Sequence, residues 1–460
     1  MTQHQALQDR FQRNIVFCLQ VRLSDATDAL TPTLNAISDQ GGRTGEVVRQ
    51  SHEAGSIQYD ITVFTTGDEQ MATIRSAVEA IDGCEVLDVL DMAMETHRGG
   101  ACEVRSRTPI TSNTDLRIVY TPGVARVCKA IEAKPELARD FTNISNRVAI
   151  VTNGTAILGL GDIGPVAGMP VMEGKAAIFW EFTGISADPV LVDTHDPDEF
   201  IHVVEKIACG YGAIQIEDVS APSCFKITRD LDAKLPMPVF HDDQHGTATV
   251  VLGTLLSALK KLGRDLMTMT CAIAGAGAAG TAIADVLNHV GIADVVLCDS
   301  AGTIHRGREN RMDDEKRALA ERTNKDNISG TLADAMKGRD LFIGVAQPGI
   351  VSKEMVESMA SDPIILALAN PVSEISRDDA LEAGACIYAD GRMVNNAIAY
   401  PGIFRGALDA QASTITMDMI IAAGEAIASV VPDDQLLPEM MDPATHQAVA
   451  RAVANAAPKE

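Results

Sequence analysis

Over the first hundred residues, short runs in which apolar and polar positions alternate are separated by stretches where apolar positions recur every three or four residues. This spacing predicts a strand over Ile15 to Leu23, a helix over Asp28 to Ser38 and strands over Glu46 to Glu53 and Ser56 to Thr65. A helix over Glu69 to Ile81 and a strand over Glu85 to Asp91 complete the series. The order is βαββαβ, that of a ferredoxin-like unit. Gly99 and Gly100 open an irregular polar stretch that runs to Asp115 and reads as a linker. Beyond it strands and helices alternate with glycine-rich turns, the pattern of an α/β domain. Between Met267 and Asp390 the runs MTCAIA, DVVLC, LFIGV, IILALA and CIYA read as strands, with helices such as Ala279 to His289 and Ser352 to Met359 between them. That succession predicts a doubly wound parallel sheet. From Gly402 onward Ala, Met and Ile recur at helical spacing, which predicts a helical tail folded back on an earlier domain. The resulting divisions are 1–98, 99–250, 251–401 and 402–460.

At about 150 residues per domain, a chain of 460 residues holds roughly three domains, each large enough for its own core. Apolar residues at 46% and charged residues at 22% are globular proportions and exclude disorder, collagen and fibre. Lys plus Arg number 38 against 63 Asp plus Glu, a net charge of −25 that repels phosphate backbones and anionic lipid. Neither nucleic acid nor membrane is expected as a partner. Nine cysteines without a CxxC pair read as reduced thiols, and the polar start MTQHQALQDRFQRN lacks the apolar core of an export signal. A cytoplasmic location is expected.

The sharpest motif is Gly275-Ala-Gly277-Ala278-Ala279-Gly280, which follows the strand MTCAIA and opens a helix, with Asp299 at the end of the next strand. Gly275 and Gly277 allow a tight turn and close backbone approach to a pyrophosphate, and Gly280 lets helix and strand pack. Asp299 is expected to accept a ribose hydroxyl, which favours NAD over NADP. Ser300 could hydrogen-bond a 2′-phosphate, and His305, Arg306 and Arg308 could supply countercharge and admit NADP. Two acidic pairs also end apolar runs: Glu217-Asp218 after GAIQI, and Asp242-Asp243 after PMPVF. Ligands of open α/β sheets collect at such carboxyl ends, and converging carboxylates repel unless a divalent cation neutralises them. Oxygen-only ligation favours Mg²⁺ or Mn²⁺. Any single acidic pair in a loop is more commonly solvated charge or a helix cap. His241 and His245 flank the second pair without a zinc-like spacing and read as packing or supporting residues.

Taken together, YTPGVA (from Tyr120), LGLGDIGP (Leu158 to Pro165), MEGKA, QIEDV, FHDDQHGTA, AGAGAAG, LANP (Leu368 to Pro371) and NNAIAYPG (Asn395 to Gly402) resemble the malic enzymes, in that family's order. The small bacterial type is the more similar, since Ala156 stands where larger members place an Arg before this loop. The resemblance implies metal-dependent oxidative decarboxylation of (S)-malate to pyruvate and CO₂ with reduction of NAD or NADP. It implies metal ligands Glu217, Asp218 and Asp243, a general base Lys175 and a proton donor Tyr120. Asn370 and Asn396 are implied to hold substrate, Asn370 also to contact the cofactor, and Asp242 to support the lysine or the metal. Beside a metal, Lys175 is expected to have a depressed pKa. The residue that binds the C4 carboxylate is unassigned.

The first unit resembles an ACT domain, a module that commonly binds small effectors, although the usual Asp-x-Pro-Gly turn is here Asp25-Ala26-Thr27-Asp28. On these resemblances residues 1–98 are regulatory, 99–250 bind malate and metal, 251–401 bind the dinucleotide and 402–460 pack back on the catalytic domain. A homodimer or higher homo-oligomer is expected. Three rivals are a malolactic enzyme that releases lactate, a ligand-sensing ACT protein with a degenerate catalytic body, and an amino-acid dehydrogenase. The last would leave the acidic pairs without a use.

Overall fold

The structure, a computed structural model, describes residues 15–53, 55–157, 160–370 and 372–458. The polar start of the chain, Leu158 and Gly159 of one motif and Pro371 of another lie outside the described residues. Two compact units divide at 103/104, beyond the boundary expected at 98/99.

In the first unit the elements are β1 (Ile15–Ser24), α1 (Leu30–Asp39), β2 (Arg43–Glu53), β3 (Ser56–Thr65), α2 (Asp68–Glu79) and β4 (Cys84–Asp91). Alternation puts Phe17, Leu19, Val21 and Leu23 on one face of β1, where they pack with Ile37 of α1 and Met71, Ile74 and Val78 of α2. Removing each such side chain from water contributes about 1.5–3 kcal/mol, which is what fixes strand register. The sheet order is β2-β3-β1-β4, with the pairs antiparallel. The expected βαββαβ order is therefore present.

The second unit contains two parallel sheets. The first is built from β5 (Arg147–Thr152), α3 (Pro165–Thr183), β6 (Ser186–Leu191), α4 (Pro197–Ile207), β7 (Ala213–Ile216), α5 (Ser223–Lys234) and β8 (Val239–His241), in the order β6-β5-β7-β8. Helix α3 starts on Pro165, whose fixed φ suits a first turn, and stops at Gly184 in the left-handed region (φ 64°). A one-turn π-helix over Asp242–Gly246 leads into α6 (Thr247–Leu262), which is buried along most of its length. The boundary expected at 250/251 falls inside this helix. The reason is local: hydrogen bonding continues unbroken from the acidic motif, so the motif marks where chemistry lies and not where the chain breaks.

The second sheet holds β9 (Thr270–Ala274), β10 (Asp294–Asp299), β11 (Gly302–Thr303), β12 (Leu341–Gly344), β13 (Ile364–Ala367) and β14 (Ile387–Asp390), with α7 (Ala278–His289) following β9. Its order is β11-β10-β9-β12-β13-β14, all parallel except the β10–β11 hairpin. Strand order reverses between β9 and β12, the switch point at which doubly wound sheets bind ligands. The helix expected over Ser352 to Met359 is only Lys353–Glu357, because the Ala360 N–H turns away to the Arg339 carbonyl. The tail forms α8 (Tyr400–Asp409), α9 (Met417–Ser429) and α10 (Pro443–Ala456); α8 and α10 pack against α3. Its boundary expected at 401/402 falls inside α8. Among the described residues no helix is long and apolar enough to cross a membrane.

Candidate active site

The acidic pairs converge because β7 and β8 are parallel neighbours whose carboxyl ends open on the same edge. Glu217 and Asp218 follow β7, and Asp242 and Asp243 follow β8 in the π-turn. One carboxylate oxygen each from Glu217, Asp218 and Asp243 lies within 4.8 Å of the others. The Asp243 carboxylate also accepts the Asp218 backbone N–H at 3.1 Å, while Asp218 itself takes a positive φ of 50°. A non-glycine residue in that region is strained, and such strain recurs at binding sites.

Lys175, on α3, reaches into this cluster. Its Nζ is 2.6 Å from Asp242 and 2.8 Å from Glu217, and it lies 4.9 Å from the centre of the Tyr400 ring. Asn396 donates to the same Asp242 carboxylate at 3.2 Å and to Thr247 at 3.0 Å. Glu217 accepts a further hydrogen bond from Gln215 at 2.5 Å.

The electrostatics follow from burial. Glu217 is 1% exposed, and burial, reinforced by the neighbouring carboxylates, pushes its carboxyl well above the usual range although Lys175 opposes this. Burial and like charge thus oppose ionisation of Glu217, and a divalent cation is the chemical complement of such an oxygen-only donor set. For Lys175, burial disfavours the ammonium, but Asp242 and Glu217 outweigh it and hold the group well above its ordinary value. In the cluster without a cation, desolvation acts as expected but two carboxylates in direct contact are stronger, whereas the expected depression of the Lys175 pKa is that of a site with metal bound. Burial also pushes the Tyr400 phenol up, and it pushes the His245 imidazole down to about 4.

The glycine motif has the expected geometry. Gly275 has φ 109°, and a Cβ there would meet the Val345 carbonyl at 2.5 Å; a Cβ on Gly280 would meet the Gly275 carbonyl at 1.9 Å. At Gly277 a Cβ would meet nothing within 4 Å, leaving open space before the α7 N-terminus, where Ala278 and Ala279 begin the helix.

Asp299 was to accept from a ribose, yet its carboxylate already takes Arg308 Nη2 at 2.7 Å to both oxygens and Lys316 Nζ at 2.9 Å. Burial would raise that carboxyl, but these hydrogen bonds bring it below the usual range. The chain after β11 folds back and neutralises it, so repulsion of a 2′-phosphate is weaker than the sequence alone implies. Arg308 is turned inward, with its remaining donors on the carbonyls of Asn310, Gly302 and Thr303. Arg306 donates instead to the Lys325 carbonyl.

Tyr120 ends the helix Asn113–Val119 and is 66% exposed, outside the buried cluster. Asn370 is exposed and donates to the Gly391 carbonyl at 3.2 Å; among the described residues it makes no hydrogen bond to Lys175 or its carboxylates.

Two contributors had no signal of their own. Tyr400 was one letter in a longer motif, and its partner Lys175 is 225 residues away. Glu374 is fully buried and accepts the N–H groups of Ala346 and Ala369 at 2.9 and 3.1 Å, tying together the chain after β12 and β13 at the switch-point edge.

Comparison with known proteins identifies the family. Residues 100–232 match the family model described as malic enzyme, N-terminal domain, and residues 244–458 match malic enzyme, NAD binding domain. A relative from Geobacillus stearothermophilus named NAD-dependent malic enzyme is 45% identical over 408 residues, covering 86% of this chain and 85% of that one. Another, named bifunctional malic/malolactic enzyme, from Bacillus subtilis, is 45% identical over 383 residues, covering 81% and 93%. Among solved structures, a malic enzyme from Pyrococcus horikoshii superposes with a TM-score of 0.76 at 41% identity, covering 79% of this chain and 89% of that one. The chain belongs to the malic enzyme family, and it carries out the NAD(P)-dependent oxidative decarboxylation of malate.

Proposed function

We propose that the cluster around Lys175 is where this reaction takes place, with Glu217, Asp218 and Asp243 holding Mg²⁺ or Mn²⁺. The observation that carries the assignment is the convergence of three carboxylate oxygens within 4.8 Å, with a lysine in contact with one of their owners. A cation held by Glu217, Asp218 and Asp243 would supply Lewis-acid polarisation of the C2 oxygen of malate, and a dinucleotide on the Gly275–Gly280 loop would supply the hydride acceptor. Lys175 takes the C2 hydroxyl proton, and Asp242, held by Asn396, fixes the direction of Nζ. Tyr400 covers the other side of the ammonium and limits its contact with water. Tyr120 is assigned on its motif alone as the donor of the proton to C3, and Asn370 and Asn396 as substrate amides. Gly275, Gly277, Ala278, Ala279 and Gly280 cradle the pyrophosphate.

Residue roles separate in partial reactions. Lys175→Ala abolishes malate oxidation. Tyr120→Phe slows overall turnover by about 10² to 10⁴ while leaving reduction of bound oxaloacetate less affected. Equal damage to every partial reaction by both variants contradicts the assignment.

The name of the Bacillus subtilis relative keeps a malolactic side reaction in view, and release of lactate from malate without net reduced dinucleotide is its signature. Residues 1–98 are proposed as an ACT-like regulatory unit, 99–250 as the malate and metal domain, 251–401 as the dinucleotide domain and 402–460 as the returning helical segment. Exposed Ile118, Phe141, Val166 and Trp180 fit a homo-oligomer that covers them, which light scattering of the purified protein tests. A cytoplasmic location fits nine cysteines without a disulfide among the described residues.

A further inference from the structure

Glu374 is 0% exposed, and among the described residues it forms no ion pair. An acidic side chain is seldom buried so fully unless something holds it. Two backbone groups do so: Oε1 accepts the Ala346 N–H at 2.9 Å and Oε2 accepts the Ala369 N–H at 3.1 Å. Gly344, the last residue of β12, leaves room for it, since a Cβ there would meet the Glu374 carboxyl carbon at 2.3 Å and its oxygens at 2.6 and 2.7 Å. The backbone around Glu374 is pinned as well. Its carbonyl accepts the Val351 N–H at 3.1 Å, and the Ser373 carbonyl accepts the Gly349 N–H at 3.1 Å.

Strand order decides what these bonds join. β12, β13 and β14 are parallel neighbours, so the chain leaves all three on the edge where ligands of such sheets bind. Ala346 follows β12, and Ala369 follows β13 directly before Asn370. Asn370 in turn donates to the carbonyl of Gly391, which follows β14. On the other flank the Val345 N–H donates to the Ala274 carbonyl at 2.9 Å, and the Val345 carbonyl is the atom that a Cβ on Gly275 would meet. One carboxylate thus joins the exits of two strands into a single floor beside the glycine loop. A dinucleotide crosses such a sheet at its switch point, with one mononucleotide on each half. Asp299, at the end of β10, lies on the half that takes the adenosine, and the exits of β12 and β13 lie on the half that takes the nicotinamide.

We infer that Glu374 is a positioning residue for the nicotinamide half of the cofactor: without touching it, the buried side chain holds the chain after β12 and β13 in the shape that receives the ring. This role rests on the assignment of the pyrophosphate to the Gly275 loop. It also accounts for an acidic residue at this position. A carboxylate offers an acceptor to each strand exit, whereas an amide offers one acceptor and sets its NH₂ against the second N–H.

Calorimetric titration of the full-length protein in Mg²⁺, with NAD⁺ and with ADP-ribose, which lacks the nicotinamide, separates the two halves. In Glu374→Gln the Kd for NAD⁺ is expected to rise by about tenfold or more, while that for ADP-ribose stays within about twofold. Gly344→Ala pushes a methyl group against the same carboxylate and is expected to give the same split. Melting temperatures show which variant is folded. A purely structural role would weaken both ligands alike. Equal weakening of NAD⁺ and ADP-ribose, unchanged NAD⁺ binding in a folded variant, or loss of folding in both variants overturns the inference. Failure of ADP-ribose to bind the unaltered protein is a different result: it removes the glycine-loop assignment, and the role of Glu374 with it.

Discussion

The Nζ of Lys175 and the Asp242 carboxylate lie 2.6 Å apart, and neither group is accessible enough for water to replace the other. Their side chains are 17% and 0% exposed. The contact makes Asp242 a determinant of the lysine's charge. In Asp242→Asn one of the two carboxylates that raise Lys175 is gone, so its pKa falls. A base is active when deprotonated, so the acidic limb of the kcat/KM profile moves to lower pH, and kcat drops by about 10- to 100-fold as Nζ loses its anchor. The pH profile at saturating metal checks this; a limb that stays in place separates Asp242 from the base.

Cofactor choice depends on the cations around Asp299. Lys316 supplies one of the two that neutralise it, so Lys316→Ala leaves a more negative strand end and penalises a 2′-phosphate more than a free hydroxyl. The kcat/KM for NADP⁺ is expected to fall about tenfold relative to that for NAD⁺, the equivalent of about 1.4 kcal/mol. An unchanged ratio would mean that the carboxylate does not face the ribose.

Stability should depend on pH through His245. Its folded-state pKa of about 4 lies below the ordinary value of 6.5, so the unfolded chain binds the proton more readily. The sign follows: this contribution is present in full above pH 6.5 and is lost as pH falls toward 4, up to about 3 kcal/mol. Melting temperature measured across that range should fall, and His245→Gln should flatten the fall. An equal slope in both proteins contradicts the role of His245.

The N-terminal unit has its own core of Phe17, Leu19, Ile61 and Ile74 and carries none of the cluster residues. Deletion of residues 1–98 is expected to leave basal malate oxidation within about threefold of the intact chain and to remove any effector response. Activity lost from a deletion variant with an intact circular dichroism spectrum would make the unit part of the catalytic assembly.

The acidic cluster was legible in sequence because each pair directly follows an apolar run, and parallel strands bring such ends to one edge. The glycine loop was legible for a similar reason: strand, turn and helix are contiguous. What escaped was long-range. Nothing near Tyr400 in sequence announces that its ring will lie over Lys175, and the cations that cap Asp299 come 9 and 17 residues later from a chain segment that doubles back. The direction of the Lys175 shift in the cluster without a cation is long-range as well, since burial can be inferred from one segment but the two carboxylates that outweigh it come from two others. Helix α6 runs through the expected domain boundary because acidic motif and helix share one continuous hydrogen-bonded segment.

The central claim, that these carboxylates and Lys175 perform a metal-dependent oxidative decarboxylation, is tested most directly by one assay. The protein is stripped with chelator, given (S)-malate and NAD⁺, and followed at the absorbance of reduced dinucleotide before and after Mn²⁺ is added. The account predicts no turnover until Mn²⁺ is present, then reduced dinucleotide and pyruvate in equal amounts. Full turnover in the stripped protein, or lactate formed without reduced dinucleotide, would contradict it.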